Sequence, residues 1–166
     1  MYQAIILWIH IVSAVVFIGP QVFLVAAVGP AMHTLQDARQ RAQAMRIMTA
    51  RFGIMGGGAL VLLLITGMIN YFHAKDEGDL DLTRYFMVMQ VKLTLVTLVI
   101  VTTVLHGAVF GRRMQRLQDN GAGEDEMAAV RRWSMLLSLA TLVASVAILL
   151  CAALLGSDWS KGGGLR

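Results

Sequence analysis

The sequence lacks several features on which soluble, secreted and dithiol-redox proteins depend. A single cysteine in 166 residues excludes a disulfide framework. Without a C-x-x-C or C-x-x-C-H motif, neither a dithiol centre nor covalently attached haem is expected. Charged residues make up only 14% of the chain, against about a quarter in a typical soluble domain. No Lys-Ser/Thr pair follows the glycines at 56–58, which excludes a phosphate-binding loop there.

Long apolar runs take the place of these features. The runs cover about 4–30, 54–74, 86–111 and 133–156, and none contains Asp or Glu. Each reaches the ~20 residues that an α-helix needs to cross a bilayer, and in lipid only a helix satisfies its own backbone. The first run lacks a basic leader and a cleavage site, so we interpret it as a retained span. We therefore predict an all-α integral membrane protein: a four-transmembrane-helix bundle forming one membrane domain over 1–166.

The basic residues predict the orientation of this bundle. The arginines of the first and third connections are Arg39, Arg41, Arg46, Arg51, Arg112, Arg113, Arg116, Arg131 and Arg132. The other connection and the C-terminal tail mix basic with acidic residues. The positive-inside rule then places both termini outside, on the periplasmic side of a bacterial inner (cytoplasmic) membrane. Because the arginines cluster at the ends of spans, the net charge of +4 indicates topology and not nucleic-acid binding.

The connection over 34–53 has no glycine or proline before Gly53 and is rich in good helix formers. It predicts a short helix, or an extension of the first span. No convincing internal repeat is visible in the sequence.

Four ionisable side chains lie in or at the ends of the apolar runs: His10, His73, Lys92 and His106. His10 and Lys92 each lie about 9 Å from the outer end of their run. Charge at bilayer depth costs roughly 3 kcal/mol unless it is paired or hydrated. Lys92 has no acid at its depth, so water, backbone carbonyls, an acid of the outer loop or a bound anion must satisfy it.

Helical spacing assigns these residues to faces. In the first span His10 shares a stripe with Ser13, Phe17 and Gln21, which we predict to face the interior. In the second span Thr66, Asn70 and His73 share a face. In the fourth span a stripe of small hydroxyl residues indicates close helix packing more strongly than a ligand site. Its members are Ser134, Ser138, Thr141 and Ser145.

These residues support a hypothesis of b-type haem binding. Imidazoles suit haem iron held between helices, and a lysine suits a propionate. His10 is the predicted axial ligand, and His73, Lys92 or His106 would complete or orient the site; His10 and His106 are the candidate metal ligands. Helix rise separates His10 from His106 by well over 10 Å along the membrane normal, so two sites or a shifted topology are needed if both bind haem.

Several alternatives remain open. Lys92 can extend its charge to the headgroups, and His33 and His73 can be ordinary interface residues. Thioethers and imidazole also suit Cu(I), and Met68, Met87 and Met89 lie near the outer side with His73. A copper-handling protein and a structural subunit of a membrane redox complex are therefore competing functions. A redox role implies a partner protein or quinone, and the chain is expected to form an oligomer or join a complex in the lipid bilayer.

Three stretches resemble known families: LWIHIVSAVVFIGPQVFLVAAVGPAMH, LLLITGMIN and MQVKLTLVTLVIVTTVLHGAVFGRRM. Together, over about 5–115, they resemble small bacterial CopD-like membrane proteins and HemJ-type protoporphyrinogen oxidases. The resemblance implies copper handling in the first case, and haem b with porphyrinogen oxidation in the second. It matches His10 to the first-helix histidine of the HemJ-type group, Lys92 to its third-helix lysine and His106 to the later histidine.

Overall fold

The computed structural model describes residues 1–34, 36–76, 82–120 and 123–157, and every regular element in these ranges is helical. Four of its helices are long and apolar enough to cross a membrane: Tyr2–Met32, Arg39–Lys75, Arg84–Val109 and Glu126–Leu155. These agree with the four predicted apolar runs and confirm the all-α, four-span fold. The placement of the termini outside stays a prediction.

The helices divide into longer and shorter segments. In chain order they are α1 (Tyr2–Phe23), a π-helical segment (Leu24–Val28), α2 (Gly29–His33), α3 (Ala38–Asp76), α4 (Leu82–Leu105), a second π-helical segment (His106–Gly111), α5 (Arg112–Asp119) and α6 (Glu124–Leu155).

The arginine-rich connection after the first span differs from its prediction. It is neither a separate short helix nor an extension of the first span, because residues from Ala38 onward continue unbroken into the second span as α3. α6 likewise begins at Glu124, ahead of its apolar run. Good helix formers at the starts of α3 and α6 let both helices extend beyond the hydrocarbon, where arginine side chains remain hydrated.

The chain forms two compact units, Met1–Gly78 and Asp79–Arg166. In the first unit α1 packs against α3, and in the second α4 packs against α6. Each unit is thus a hairpin of two long helices. The prediction of one membrane domain over 1–166 stays a prediction.

Both units use the same order of elements: a long helix, a π-helical segment, a short helix and a second long helix. Matching Leu24 with His106, the first residues of the π-helical segments, makes Phe17 correspond to Val99, and both are buried. The same register makes His10 correspond to Lys92. The sequence did not reveal this repeat of elements because few of the corresponding residues are identical.

Most of the buried side chains are small or carry a hydroxyl group, while many large apolar side chains point outward. Among the described residues, those buried are Ser13, Phe17, Val28, Ala59, Thr66, Val99, Thr102, Val130, Thr141, Ala144, Ser145 and Cys151. In lipid, apolar side chains gain nothing by facing another helix, so close backbone approach and hydroxyl hydrogen bonds determine which face is inside.

Candidate functional site

His10 on α1 contacts Thr66 on α3 through one short hydrogen bond. Nδ1 of His10 lies 2.7 Å from Oγ1 of Thr66. The same hydroxyl donates to the backbone carbonyl of Leu62, one turn back on α3, at 2.6 Å. Thr66 is only 4% exposed, so this hydroxyl links the imidazole to the α3 backbone inside the hairpin.

Gly67, the next residue, makes room for the imidazole. A Cβ atom at this position would lie 3.3 Å from Cε1 of His10 and 3.9 Å from its Nδ1. Most Cβ contacts are longer than the first of these distances, so any side chain at position 67 would push on the ring. Thr66 therefore holds His10 by a hydrogen bond, and Gly67 leaves the space that the ring occupies.

A second polar pair crosses the same hairpin nearer the chain end. Gln3 donates from Nε2 to Oδ1 of Asn70 at 2.9 Å. With the pair of His10 and Thr66, it sets the antiparallel register of α1 on α3. We call Gln3, His10, Thr66, Gly67 and Asn70 together the His10 site.

The predicted inward stripe of α1 continues away from the His10 site. Ser13 and Phe17 are buried, and the Phe17 ring lies 3.8 Å from where a Cβ of Gly56 would be. Gln21 donates from Nε2 to the carbonyl of Phe17 at 3.1 Å. Its Oε1 is buried and has no hydrogen-bond partner among the described residues. The stripe is therefore inward, as helical spacing predicted.

His106, in the second unit, faces the hydroxyl stripe of α6. Its Nδ1 lies 3.5 Å from Oγ of both Ser134 and Ser138, which is the long limit of a hydrogen bond. Ser138 donates to the carbonyl of Ser134 at 3.0 Å. The histidine is also the first residue of a π-helical segment, an interruption of the helical ladder that is common near functional sites.

The hydroxyl stripe of α6 also makes the central contact with α4. Thr141 lies 2.9 Å from the Oγ1 of Thr102, and Ser145 donates to the carbonyl of Thr141 at 2.8 Å. All three are buried. The interpretation of this stripe as a packing face therefore agrees with the structure, and His106 is an additional neighbour that the sequence did not indicate.

Lys92 is half-buried on α4. When the two units are aligned at Leu24 and His106, Lys92 occupies the position that corresponds to His10. The acids of the outer loop that were considered as partners, Glu77, Asp79 and Asp81, lie outside the described residues.

His73 lies in the last turn of α3 and is exposed, two turns beyond Thr66. Thr66 and Asn70, which share its face by spacing, hydrogen-bond to His10 and Gln3 of α1. His10 and His73 belong to one unit, whereas Lys92 and His106 belong to the other. The side chain of His33 lies outside the described residues. The assignment of His10, His73, Lys92 and His106 to a cofactor stays a prediction.

Sequence reasoning missed Gln3 and Gly67 as parts of the His10 site. The seven-residue spacing of Gln3 and His10 is a usable signal for a shared face. No signal identified Gly67, because its role depends on which ring lies opposite.

Within the described part of the chain there is no group of three or more His, Cys, Asp or Glu side chains that could hold a metal ion. Of the methionines considered for copper, Met68 is 59% exposed and Met87 is 54% exposed, so neither turns inward within its unit.

Comparison with known proteins gives one match. The family described as copper resistance protein D (CopD) matches residues 45–155. This range contains Thr66, Gly67, Lys92 and His106, and leaves His10 on its N-terminal side. No curated protein and no solved structure matches the chain. The resemblance to HemJ-type proteins therefore stays a resemblance. With two thirds of its length matched, this four-span membrane protein belongs to the CopD family.

Proposed function

We propose that this protein handles copper in the bacterial inner membrane, with His10 as a ligand for the metal. Membership of the CopD family points to copper. The observation that carries the choice of residue is the hydrogen bond between His10 Nδ1 and Thr66 Oγ1. A histidine that ligates a metal usually gives its other ring N–H to such a partner, which orients the ring.

Copper is cargo in this proposal and not a resident cofactor. A site that retains copper needs several protein ligands, and the described residues offer no cluster of three or more. One oriented imidazole with a thioether or water suits a Cu(I) ion that binds briefly and moves on. We place both termini in the periplasm, on the charge asymmetry of the connections.

Haem b is the second candidate, and the small number of protein ligands among the described residues favours it. A porphyrin supplies four of the six ligands of its iron, so the protein would need to supply only one or two. His10 would be the axial ligand, with His73 in the same unit as the second. Lys92 or His106 would serve propionates or a second site. The chemistry would be one-electron transfer with a partner protein or quinone, or porphyrinogen oxidation as in the HemJ-type group.

One preparation tests both candidates. Purified protein in detergent is assayed for copper by elemental analysis and for haem by its Soret and reduced α/β bands. Stoichiometric copper that disappears in His10→Ala supports copper handling. A Soret band that disappears in the same variant supports haem. His73→Ala with Met89→Leu tests the alternative copper ligands. A colourless, copper-free protein that gains neither on reconstitution leaves a structural subunit of a larger complex.

Copper handling is then tested in cells. A strain sensitive to copper is complemented with the wild type, His10→Ala or Thr97→Val. Thr97 is an exposed residue of α4 whose hydroxyl donates to the Leu93 carbonyl of its own helix, so its replacement serves as a matched control. Copper tolerance or accumulation that changes with the wild type and Thr97→Val, but not with His10→Ala, supports the proposal. Equal effects of all three at equal expression contradict it.

A further inference from the structure

We propose that the arginine-rich end of the second unit binds the headgroup of an anionic phospholipid. Arginines of α5 and α6 hold the phosphate, and the hydroxyl of Ser134 donates to a glycerol or ester oxygen beneath it. The site involves no metal and no residue of the His10 site, so it goes beyond the proposed function. The inference follows from the levels at which charged and hydroxyl side chains lie along this hairpin.

The antiparallel register brings two groups of arginines to one level. Thr102 on α4 meets Thr141 on α6 with the hydroxyl oxygens 2.9 Å apart. Arg112 lies ten residues after Thr102, and Arg131 lies ten residues before Thr141. Each therefore lies about 15 Å from the threonine contact by helix rise. α5 still packs against α6 at this end, so the two arginines belong to the same end of the unit.

These arginines concentrate positive charge at the end of the spans. The four that lie nearest to the apolar runs are exposed: Arg112, Arg113, Arg131 and Arg132. The acids of the same connection lie at least five residues farther along the helices from the spans: Asp119, Glu124, Asp125 and Glu126. Like charges at one level repel each other, and an anion between them removes the repulsion. Guanidinium groups suit phosphate in particular, because they bind it through two parallel hydrogen bonds.

A layer of uncharged polar atoms lies deeper in the same hairpin. Nδ1 of His106 lies 3.5 Å from the Oγ atoms of Ser134 and Ser138, at the long limit of a direct hydrogen bond. The hydroxyl of Ser138 donates to the Ser134 carbonyl at 3.0 Å. The half-buried Ser134 hydroxyl has, among the described residues, no closer hydrogen-bond partner than His106. It can therefore donate to a further oxygen.

The two layers match the two polar layers of a phospholipid. Arg131, Ser134 and Ser138 follow one another at steps of three and four, so they share a face of α6. Trp133 is 65% exposed between the arginines and Ser134, as is typical of a tryptophan at the membrane–water interface. A phospholipid places its phosphate outermost and its ester oxygens beneath. Basic pockets between membrane helices are known to bind such headgroups. Free phosphate would use only the outer layer.

Native mass spectrometry of the whole chain, released from a neutral detergent, measures the binding. The protein is titrated with phosphatidylglycerol, which has a net negative charge, and with phosphatidylcholine, which has the same phosphate and esters but no net charge. Inorganic phosphate is added in excess as a competitor. We expect phosphatidylglycerol to bind more tightly than phosphatidylcholine and to resist displacement by phosphate.

Two sets of variants test the two layers. An arginine near an anionic headgroup contributes about fivefold in affinity, so Arg112→Gln with Arg131→Gln should weaken phosphatidylglycerol binding about 25-fold. Ser134→Ala removes one neutral hydrogen bond and should weaken it about two- to tenfold. Arg112→Lys with Arg131→Lys keeps the charges and should lose less than the glutamine pair, which guards against misfolding as the cause.

Arg39→Gln with Arg46→Gln is the matched control. Both residues are exposed on the arginine-rich side, but they belong to the first unit. We expect no change in lipid binding from this pair. Equal weakening by the control pair would show diffuse attraction and overturn the proposal.

Three further results would also overturn the proposal. They are equal binding of both lipids, displacement of phosphatidylglycerol by inorganic phosphate, and full affinity in Ser134→Ala. Copper and haem are measured separately at the His10 site. Failure of the lipid proposal therefore leaves the proposed function standing, and failure of the proposed function leaves the lipid site standing.

Discussion

Thr102 on α4 and Thr141 on α6 meet with their hydroxyl oxygens 2.9 Å apart at the centre of the second hairpin. Each hydroxyl also lies within hydrogen-bond distance of a carbonyl one turn back on its own helix, Leu98 for Thr102 and Leu137 for Thr141. Two buried hydroxyls thus join the helices by one directed bond, in a medium where apolar contact alone does not favour one helix face over another.

Removal of this bond should destabilise the second unit modestly. We expect Thr141→Val to lower the free energy of unfolding by about 0.5–1.5 kcal/mol, the range measured for hydrogen bonds between membrane helices. Unfolding in mixed micelles with increasing SDS measures the change. A double-mutant cycle with Thr102→Val isolates the pair, and Thr97→Val is the control. Strictly additive losses in the cycle would show that the two hydroxyls do not interact.

Three glycines of α3 should respond differently to alanine. A Cβ at Gly57 meets nothing within 4 Å, and one at Gly56 meets Phe17 at an ordinary 3.8 Å, whereas one at Gly67 crowds His10 at 3.3 Å. Alanine is favoured over glycine in a helix by about 1 kcal/mol. We therefore expect Gly57→Ala and Gly56→Ala to raise the unfolding midpoint in SDS.

Gly67→Ala should gain less stability than the other two, or lose some, and it should perturb the NMR signals of His10. The comparison controls for helix propensity, because all three changes add the same methyl group to the same helix. Equal stabilisation in all three variants, with unchanged His10 signals, would contradict the close contact between His10 and Gly67.

Lys92 should reduce the stability of the protein when no anion is bound. An ammonium within a span costs up to about 3 kcal/mol, less toward the span end. We expect Lys92→Met, which keeps the length of the side chain without its charge, to stabilise the ligand-free protein by about 1–2 kcal/mol in SDS unfolding.

Lys92→Arg keeps the charge and is the control for this variant. If Lys92 holds a propionate, Lys92→Met should also weaken haem retention while Lys92→Arg does not. A Lys92→Met protein that is less stable than the wild type would show that the ammonium is well satisfied within the protein.

Cys151, the single cysteine, permits a direct test of topology. Its thiol is buried, so we expect a membrane-impermeant maleimide to label the folded wild type poorly and the SDS-unfolded protein fully. On a Cys151→Ser background, a cysteine replacing Tyr2 or Ser157 should be labelled from outside intact spheroplasts.

A cysteine replacing Arg39 or Arg116 should be labelled only after the membrane is opened. Arg39 lies near the start of α3 and Arg116 lies in α5, so both report on the arginine-rich side. Labelling of Arg39→Cys or Arg116→Cys in intact spheroplasts would reverse the predicted orientation.

The sequence was sufficient for the spans because each membrane helix satisfies its own backbone. Apolar length alone therefore predicted four helices. Apolar length does not give the start of α3: apolarity begins near residue 54, whereas the helix begins at Ala38, since helix propensity continues beyond the lipid.

The candidate site was only partly predictable, because helical spacing describes one helix at a time. Helical spacing correctly placed Ser13 and Phe17 with His10 on an inward face, and Thr66 with Asn70 on another. Spacing says which residues share a face, but not which residues of two antiparallel helices lie at the same level. His73 shares the face of Thr66 and yet is exposed in the last turn of α3.

The sequence by itself determined the number of spans, the absence of acids within them and the side chains able to hold a metal, because these depend on local apolarity and residue type. Only the tertiary structure decided that His10 meets Thr66 over Gly67, and that His106 meets Ser134 and Ser138. Those pairings depend on the antiparallel register within each hairpin. That register results from small residues and hydroxyls fitting across two helices, a property of the pair that neither helix carries alone.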